Sequence, residues 1–196
     1  CTLDGAVECL GAGPALPEDA DGLQVISEEP AEPDYLKPPE VDKRKDFTRV
    51  ARCRVIQSKL GYQLIATGKK QNGVVLNKLQ DPITGTATFT ARMRVPQGTG
   101  LLTNGFLAFG NGTTVEELVH CGIRYQPKKA LVTQGNLNSG ATAELDAEFG
   151  KVYALTVRVD LAAQTVVFTT GGVTVTAKLK TPLKKITHVG YTMDSA

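Results

Sequence analysis

The chain has 196 residues, of which 41% are apolar and 21% are charged. That is enough for one domain of ordinary size with a sizeable core, plus an extra segment. No stretch approaches the roughly 18 consecutive apolar residues of a membrane-spanning helix, so no membrane span is expected. No signal-peptide pattern is visible. A start at Cys1 without an initiator Met predicts a processed product or a fragment of a longer protein.

Charge is distributed unevenly along the chain. Residues 1–42 hold eleven Asp and Glu against one Lys, a net charge of −10, whereas residues 43–196 hold 21 Lys and Arg against nine Asp and Glu, a net charge of +12. Such asymmetry indicates two segments of different character and suggests an anionic partner for the basic part. The simpler interpretation, which we favour, is that the acidic segment offsets the basic one within the same molecule.

The first part of the chain reads as a separate unit. We predict a short helix at about Leu3–Leu10, a turn rich in Gly and Pro (GAGPALPEDADG), and an apolar exit (LQVI) that ends the unit at residue 27. Residues 28–46 are charged and rich in Pro and have no hydrophobic period, so we predict an extended linker there.

From Phe47 onward, apolar and polar residues alternate with the period of two that half-buried strands show. Turn signals such as Asp81-Pro82 and Gly171-Gly172 separate the runs. The predicted strands are Ala51–Gln57, Tyr62–Thr67, Gly73–Leu79, Thr86–Val95, Gly105–Phe109, Leu118–Tyr125, Ala130–Thr133, Lys151–Asp160, Thr165–Thr170, Val173–Leu179 and Ile186–Met193. The prediction is an all-β fold, an antiparallel β-sandwich over residues 47–196, preceded by the short helix and the linker.

The order of these runs resembles a known family. PITGTATFTARMRV, NGFLAFGNG, HCGIRYQPKKALV, GKVYALTVRVD, QTVVFTTGG, VTVTAKL and ITHVGYTMD follow one another as in a concanavalin A-like jelly roll of the laminin-G-like type. The resemblance implies a glycan-binding or protein-binding accessory domain, of the kind often attached to secreted enzymes that process polysaccharides.

The first unit is similar to a different family. TLDGAVECLGAGPALPEDADGLQVI looks like a stretch near the end of a sulfatase catalytic domain. The matching residues are Asp4, Leu10, Gly11, Pro17, Asp21 and Gly22, whereas the usual Pro-Thr pair is absent and Gln24 replaces the usual Ser. The resemblance implies that residues 1–27 are the remnant of a preceding domain. The sulfatase signature, Cys or Ser followed by x-Pro-x-Arg, is absent, so these residues carry no sulfatase chemistry.

One string raises an enzymatic alternative. Glu144, Asp146 and Glu148, in the sequence ELDAE, match the E-x-D-x-E signature of β-glucanases with this fold. On one strand face such carboxylates could act as nucleophile and general acid/base, with the Asp tuning their pKa values. The string is short and follows a loop, and the chain contains no Trp on which a sugar could stack. We therefore favour a solvated acidic turn and a non-catalytic chain.

A basic cluster supplies the candidate binding residues. Arg124, Tyr125, Lys128 and Lys129 could bind an anionic glycan, because cations suit sulfate or carboxylate and a Tyr ring can lie against a sugar face. A solvated strand end is the simpler interpretation. Nucleic acid is not an expected partner, because the basic residues are dispersed and no recognised module is apparent.

The cysteines and the acidic residues bear on metal binding and disulfides. The four Cys have no CxxC spacing, so zinc is not expected. Cys53 and Cys121 lie in strand-like runs and could pair if the chain is exported, but buried thiols are at least as good an interpretation. No cofactor is expected, although calcium stays open, since Asp81, Asn111, Asp160 and Asp194 could donate oxygen.

The sequence therefore predicts a non-catalytic accessory module at the C-terminal end of a secreted or periplasmic carbohydrate-active enzyme such as a sulfatase. Its expected partners are a polysaccharide, anionic or sulfated, and the upstream domain of the same polypeptide. Two alternatives remain: a β-glucanase-like hydrolase, and a structural domain that packs on its own catalytic domain and binds nothing else.

Overall fold

A computed structural model of the chain describes residues 6–10, 43–58, 61–67, 72–95, 103–137 and 139–195. Its regular structure is almost entirely strand. The strands are β1 (Ala6–Leu10), β2 (Arg49–Ala51), β3 (Cys53–Ser58), β4 (Gly61–Ala66), β5 (Asn72–Ile83), β6 (Thr86–Arg94), β7 (Thr103–Gly110), β8 (Leu118–Tyr125), β9 (Lys128–Gln134), β10 (Ala141–Glu144), β11 (Val152–Asp160), β12 (Thr165–Thr170), β13 (Val173–Lys178) and β14 (Ile186–Ser195). Two 3-10 turns, Arg44–Asp46 and Val115–Glu117, are the helical elements of the described residues.

The strands of the described residues form two antiparallel sheets of seven strands each. Sheet A has the order β13-β12-β11-β6-β1-β4-β3, and sheet B has the order β10-β9-β8-β7-β14-β5-β2. The main core lies between the sheets, where apolar residues of alternate positions interdigitate. In β11, for example, Tyr153, Leu155 and Val157 point inward, and each is less than 5% exposed. The predicted all-β sandwich is confirmed.

Much of the outer face of sheet B is buried as well. Phe106, Leu131 and Leu137 form a second apolar cluster on it, and Val115 packs against them from the loop that joins β7 to β8. Gly122 lies opposite Phe106 on the neighbouring strand, and a Cβ there would come within 2.7 Å of Phe106 Cδ1. The same Cβ would overlap the Gly105 carbonyl oxygen, so glycine is needed at this position.

The predicted N-terminal helix is wrong for residues 6–10. These residues form β1, which pairs antiparallel with β4 on one side and with β6 on the other. Helix propensities differ by at most about 0.7 kcal/mol per ordinary residue, and hydrogen bonding to two neighbouring strands outweighs so small a local preference. Residues 1–5 and residues 11–42, which hold most of the predicted first unit and linker, lie outside the described residues. The domain boundaries at 27 and 46 stay predictions.

Three strand boundaries also differ from the prediction. The predicted strand Ala51–Gln57 is broken at Arg52, whose φ of 59° interrupts the ladder. Asp81-Pro82 was predicted to be a turn, but strand β5 runs through it. Strand β2 pairs only with residues 74–76 of β5, so one edge of β5 is open beside Pro82. A proline has no N–H to donate and is tolerated at such an open edge. Strand β10 arises where a loop and an acidic turn were predicted, because Ala141–Glu144 pairs with the edge of β9.

Cys53 and Cys121 are both free thiols buried in the main core. Burial raises the pKa of the Cys53 thiol to about 11 and raises that of Cys121 further still. Both residues therefore behave as small apolar side chains. Among the described residues, no helix is long and apolar enough to cross a membrane.

Candidate functional site

An aromatic surface lies at one end of the sandwich, where the β8–β9 hairpin meets the segment between β10 and β11. Tyr125, the last residue of β8, points into the core and is 3% exposed. Its ring stacks on Phe149, with centroids 4.4 Å apart and planes 13° apart. Phe149 is 36% exposed, and only it and Val152 are exposed large apolar residues within the described ranges. Tyr125 therefore acts as a rigid support for a ring that solvent can reach.

The segment that carries Phe149 is fixed by Tyr153 of β11. The backbone N–H of Glu148 donates to Tyr153 Oη at 2.9 Å, and the Tyr153 hydroxyl donates to the carbonyl of Asp146 at 3.4 Å. Gly150 follows with a φ of 79°, in the left-handed region that glycine adopts without strain, and its N–H donates to the carbonyl of Val95. These contacts hold the Phe149 ring in one position.

Two ion pairs flank the aromatic surface. Lys128 Nζ lies 2.6 Å from Asp146 Oδ1, and Lys151 Nζ lies 2.7 Å from Glu148 Oε1. Lys151 also lies 5.7 Å from the centroid of the Tyr153 ring. The Lys128 hydrogen bond and charge lower the pKa of Asp146, and reciprocally Asp146 raises the pKa of Lys128. All four charged groups are solvent-exposed, so the two ion pairs contribute little to the stability of the fold. Their exposed polar atoms can still form hydrogen bonds with a ligand.

These residues enclose an open hollow of about 470 Å³, lined by the hairpin residues 125–128 and by residues 147–149. A second hollow, of about 390 Å³, lies on the other side of the hairpin and shares Pro127 with the first. Arg124 and Lys129 line this second hollow and are paired across β8 and β9. Arg124 Nη2 donates to the carbonyl of Leu137 at 2.6 Å, which fixes the guanidinium against the loop that covers sheet B.

The four predicted binding residues are thus divided between two neighbouring hollows. Tyr125 and Lys128 line the first, and Arg124 and Lys129 line the second. Tyr125 is too deeply buried to lie against a sugar face itself, and Phe149 takes the exposed position instead. Their role in ligand binding stays a prediction.

The three carboxylates of the enzymatic alternative do not share a strand. Glu144 ends β10, where it pairs in register with Lys129, and Asp146 and Glu148 lie in the irregular segment beyond. Leu145 and Ala147 are buried, so all three carboxylates face outward. A glycosidase needs two carboxyl groups that flank one bond across a cleft, whereas all three carboxylates here are exposed, and Asp146 and Glu148 are each paired with a lysine. The geometry is that of surface ion pairs, and hydrolysis stays an untested hypothesis.

Phe149 and its support by Tyr153 were missed in the sequence. A signal was present, because Phe149 precedes Gly150 in a predicted turn, where a large aromatic residue has no core position to fill. The link to Tyr125 could not be seen, since the two residues are 24 positions apart in the chain.

The oxygen donors suggested for calcium are dispersed. Asp160 accepts the N–H groups of Ala162 and Ala163 in the β11–β12 turn, Asn111 accepts from the Thr187 hydroxyl, and Asp194 accepts from Asn104. Within the described ranges, no group of three or more His, Cys, Asp or Glu is placed to hold a metal ion. Calcium binding stays open.

Comparison with known proteins gives relatives in fold only. No protein-family model and no curated protein sequence matches the chain. Among solved structures, the carbohydrate-binding module CBM66 from Bacillus subtilis is similar, with a TM-score of 0.54 and 10% identity over 75% of this chain and 90% of that one. Lectin II from Ulex europaeus aligns with a TM-score of 0.47 and 11% identity over 76% of this chain and 93% of the lectin. At such identity, the similarity to CBM66 shows the fold alone, a jelly-roll β-sandwich.

Proposed function

We propose that this domain is a non-catalytic carbohydrate-binding module whose binding surface is centred on Phe149. The observation that carries the proposal is the exposed Phe149 ring, stacked on buried Tyr125 and bordered by charged side chains in an open hollow. Sugar-binding surfaces need such a combination, because a flat ring meets the apolar C–H face of a pyranose while polar groups hydrogen-bond its hydroxyls.

The flanking charges suit this role. Lys128 and Lys151 can donate hydrogen bonds to sugar hydroxyls, and Asp146 and Glu148 can accept hydrogen bonds from them. Each charged group already has an oppositely charged partner, so a bound sugar would not cover an unpaired charge. The hollow is open, so contacts with the glycan would be shallow and weak at each site. Tethering to a longer protein would raise the effective affinity.

The finer features of the proposal rest on sequence resemblance. We propose a laminin-G-like accessory module at the C-terminal end of a secreted or periplasmic carbohydrate-active enzyme such as a sulfatase. The similarity in fold to a module that is named for carbohydrate binding supports the general part of the proposal.

The test is a glycan array probed with the full chain, followed by titration of the best glycan against two variants. Phe149→Ala should lower the affinity at least tenfold, about 1.4 kcal/mol, because the stacking surface is removed. Val152→Ala is the matched control, since Val152 is also an exposed large apolar residue, at 38%, and it should bind like the parent chain. Equal affinities for both variants would refute the Phe149 surface. Binding to no glycan would refute the module and favour a domain that only packs on its neighbour.

A further inference from the structure

A basic segment connects β13 to β14 on the side of the molecule where the edges of the two sheets meet. Lys178, Lys180, Lys184 and Lys185 occur within eight residues, and all four are exposed. No Asp or Glu occurs between Asp160 and Asp194, so no acidic residue interrupts the segment in sequence. We call residues 178–185 the lysine strap.

Two glutamines hold the backbone of the lysine strap. Gln134 of β9 donates from Nε2 to the carbonyl of Thr181 at 2.8 Å and accepts the Thr181 N–H at 2.9 Å. Gln164 of the β11–β12 turn donates to the carbonyl of Leu183 at 3.0 Å and accepts its N–H at 2.8 Å. Leu183 itself is 7% exposed and packs in the main core. The lysines are therefore presented from a fixed backbone, which lowers the entropy cost of binding.

The strap lysines also lack counter-ions within the described part of the chain. None of the four makes an ion pair with a described residue, whereas Lys128 and Lys151 each hold a carboxylate at 2.6–2.7 Å. Four positive charges within eight residues of chain repel one another, and an anionic ligand relieves that repulsion.

A cavity of about 350 Å³ opens beside the strap. Lys178 and Lys180 line it on one side, and Val119 and Val132 of sheet B line it on the other. It shares Gly140 with the hollow that contains Arg124 and Lys129, and that hollow in turn shares Pro127 with the Phe149 hollow. The strap cavity, the Arg124 and Lys129 hollow and the Phe149 hollow therefore lie in a row around the β9–β10 edge.

From this arrangement we propose that the lysine strap and its cavity bind a linear polysaccharide that carries sulfate or carboxylate groups. The proposal rests on the proposed carbohydrate-binding function and names the charge class of the glycan. Lysine ammonium groups bind such anions as point charges. The strap has no aromatic residue on which a nucleobase could stack. Neither exposed large apolar residue of the described chain, Phe149 or Val152, belongs to the strap, as insertion into a lipid surface would require.

The experiment compares binding of the full chain to dextran sulfate, heparin and uncharged dextran over a range of salt concentrations. The test variant combines Lys180→Gln with Lys184→Gln. The control combines Lys45→Gln with Arg92→Gln, which removes the same net charge at two exposed positions outside the strap. Circular dichroism and the thermal midpoint check that both variants remain folded.

We expect the strap variant to bind both sulfated polymers at least tenfold more weakly, with a shallower salt dependence, and the control to change affinity less than threefold. Equal losses in the two variants would overturn the proposal, because the effect would then follow net charge alone. Failure of the parent chain to bind either sulfated polymer would overturn it as well.

The Phe149→Ala variant separates the two proposals in the same assay. If it loses binding while the strap variant keeps it, the proposed function survives and the strap site is refuted. If the strap variant alone loses binding, the strap site stands and the Phe149 surface is refuted as a site for these sulfated polymers.

Discussion

The outer faces of the two sheets differ sharply, although each sheet has seven strands in the described part of the chain and both share one core. In β11 of sheet A, burial alternates strictly, so every second residue faces solvent. In β8 of sheet B, seven of the eight residues are buried, on both faces of the strand. The difference shows that alternation identifies a solvated face, and that its loss identifies a face that loops will cover.

Sheet A carries hydroxyl groups on its outer face. Thr90, Thr156, Thr169 and Thr174 lie in register across the four neighbouring strands β6, β11, β12 and β13. The hydroxyls of Thr169 and Thr174 are 3.2 Å apart and hydrogen-bonded. Thr suits this position because its β-branch favours strands and its hydroxyl stays hydrated.

Sheet B carries a buried polar contact among its apolar residues. His120 Nε2 lies 2.9 Å from the carbonyl of Val115, and His120 Nδ1 lies 2.9 Å from Thr192 Oγ1. A carbonyl can only accept, so the neutral ring donates from Nε2, and Nδ1 accepts the Thr192 hydroxyl proton. The imidazole thereby ties the β7–β8 loop to the sheet that it covers.

We expect the largest loss of stability from removing a large side chain on the outer face of sheet B, which the loops cover. Phe106→Ala should destabilise the protein by about 3–5 kcal/mol, because it leaves a cavity under Leu131 and Leu137. Thr156→Ala on the bare face should cost less than about 1 kcal/mol. Urea unfolding of the two variants tests the comparison, and similar costs would show that the loops do not pack on sheet B as described.

A pH dependence specific to the covered face should follow from His120. Burial lowers its pKa from 6.5 to about 4, although the Val115 carbonyl and Glu116 act in the opposite direction. Between these pH values the unfolded chain binds a proton that the folded chain does not, so the contribution of His120 to stability is greatest above pH 6.5 and falls on acidification. The loss should approach about 3 kcal/mol near pH 4.

Urea midpoints measured from pH 7 to pH 4, for the parent chain and for His120→Gln, isolate this contribution. The variant should show a clearly flatter dependence in that window, whatever its stability at pH 7. The remaining slope in the variant includes His188, whose pKa is also lowered by partial burial. Parallel curves for the two proteins would contradict a buried, neutral His120.

The same substitution at two threonines gives the smallest and most direct contrast. Thr192→Val removes the donor to His120 Nδ1 at a fully buried position and should cost about 1–3 kcal/mol. Thr156→Val replaces an exposed hydroxyl and should change stability by no more than about 0.5 kcal/mol. Thermal midpoints of the two variants provide the measurement. A Thr192→Val protein as stable as the parent would show that the hydrogen bond between Thr192 and His120 does not stabilise the fold.

The sequence predicts strands β11, β12 and β13 of sheet A closely and the loops that cover sheet B poorly, for a physical reason. Strands β11, β12 and β13 were placed almost to the residue, because an amphipathic pattern records which face meets solvent. The sequence gives only a weak local indication of which loops cover a sheet. Leu137 is buried and Val115 is partly buried because they contact Phe106, which is distant in sequence. For the same reason β1 was taken for a helix, as its strand character comes from its two partners.

Part of the candidate site could be predicted from the sequence. A two-residue turn at Gln126-Pro127 pairs Tyr125 with Lys128 and Arg124 with Lys129, and alternation then sends the two pairs to opposite faces. The basic cluster could therefore have been divided from sequence alone. Phe149 could not have been assigned to it, because its stacking on Tyr125 depends on how the β10–β11 segment folds back.

The central place of β1 has a practical consequence for protein production. A shortened protein that began at residue 43 would lack this strand, and sheet A would be split into a β3–β4 hairpin and the four-stranded group β6, β11, β12 and β13. Both new borders would present unpaired backbone N–H and C=O groups to any passing strand. Such a fragment invites aggregation, or capture of residues 6–10 from a full-length copy of the protein. Strand donation between molecules would then restore what a distant part of the same chain normally supplies.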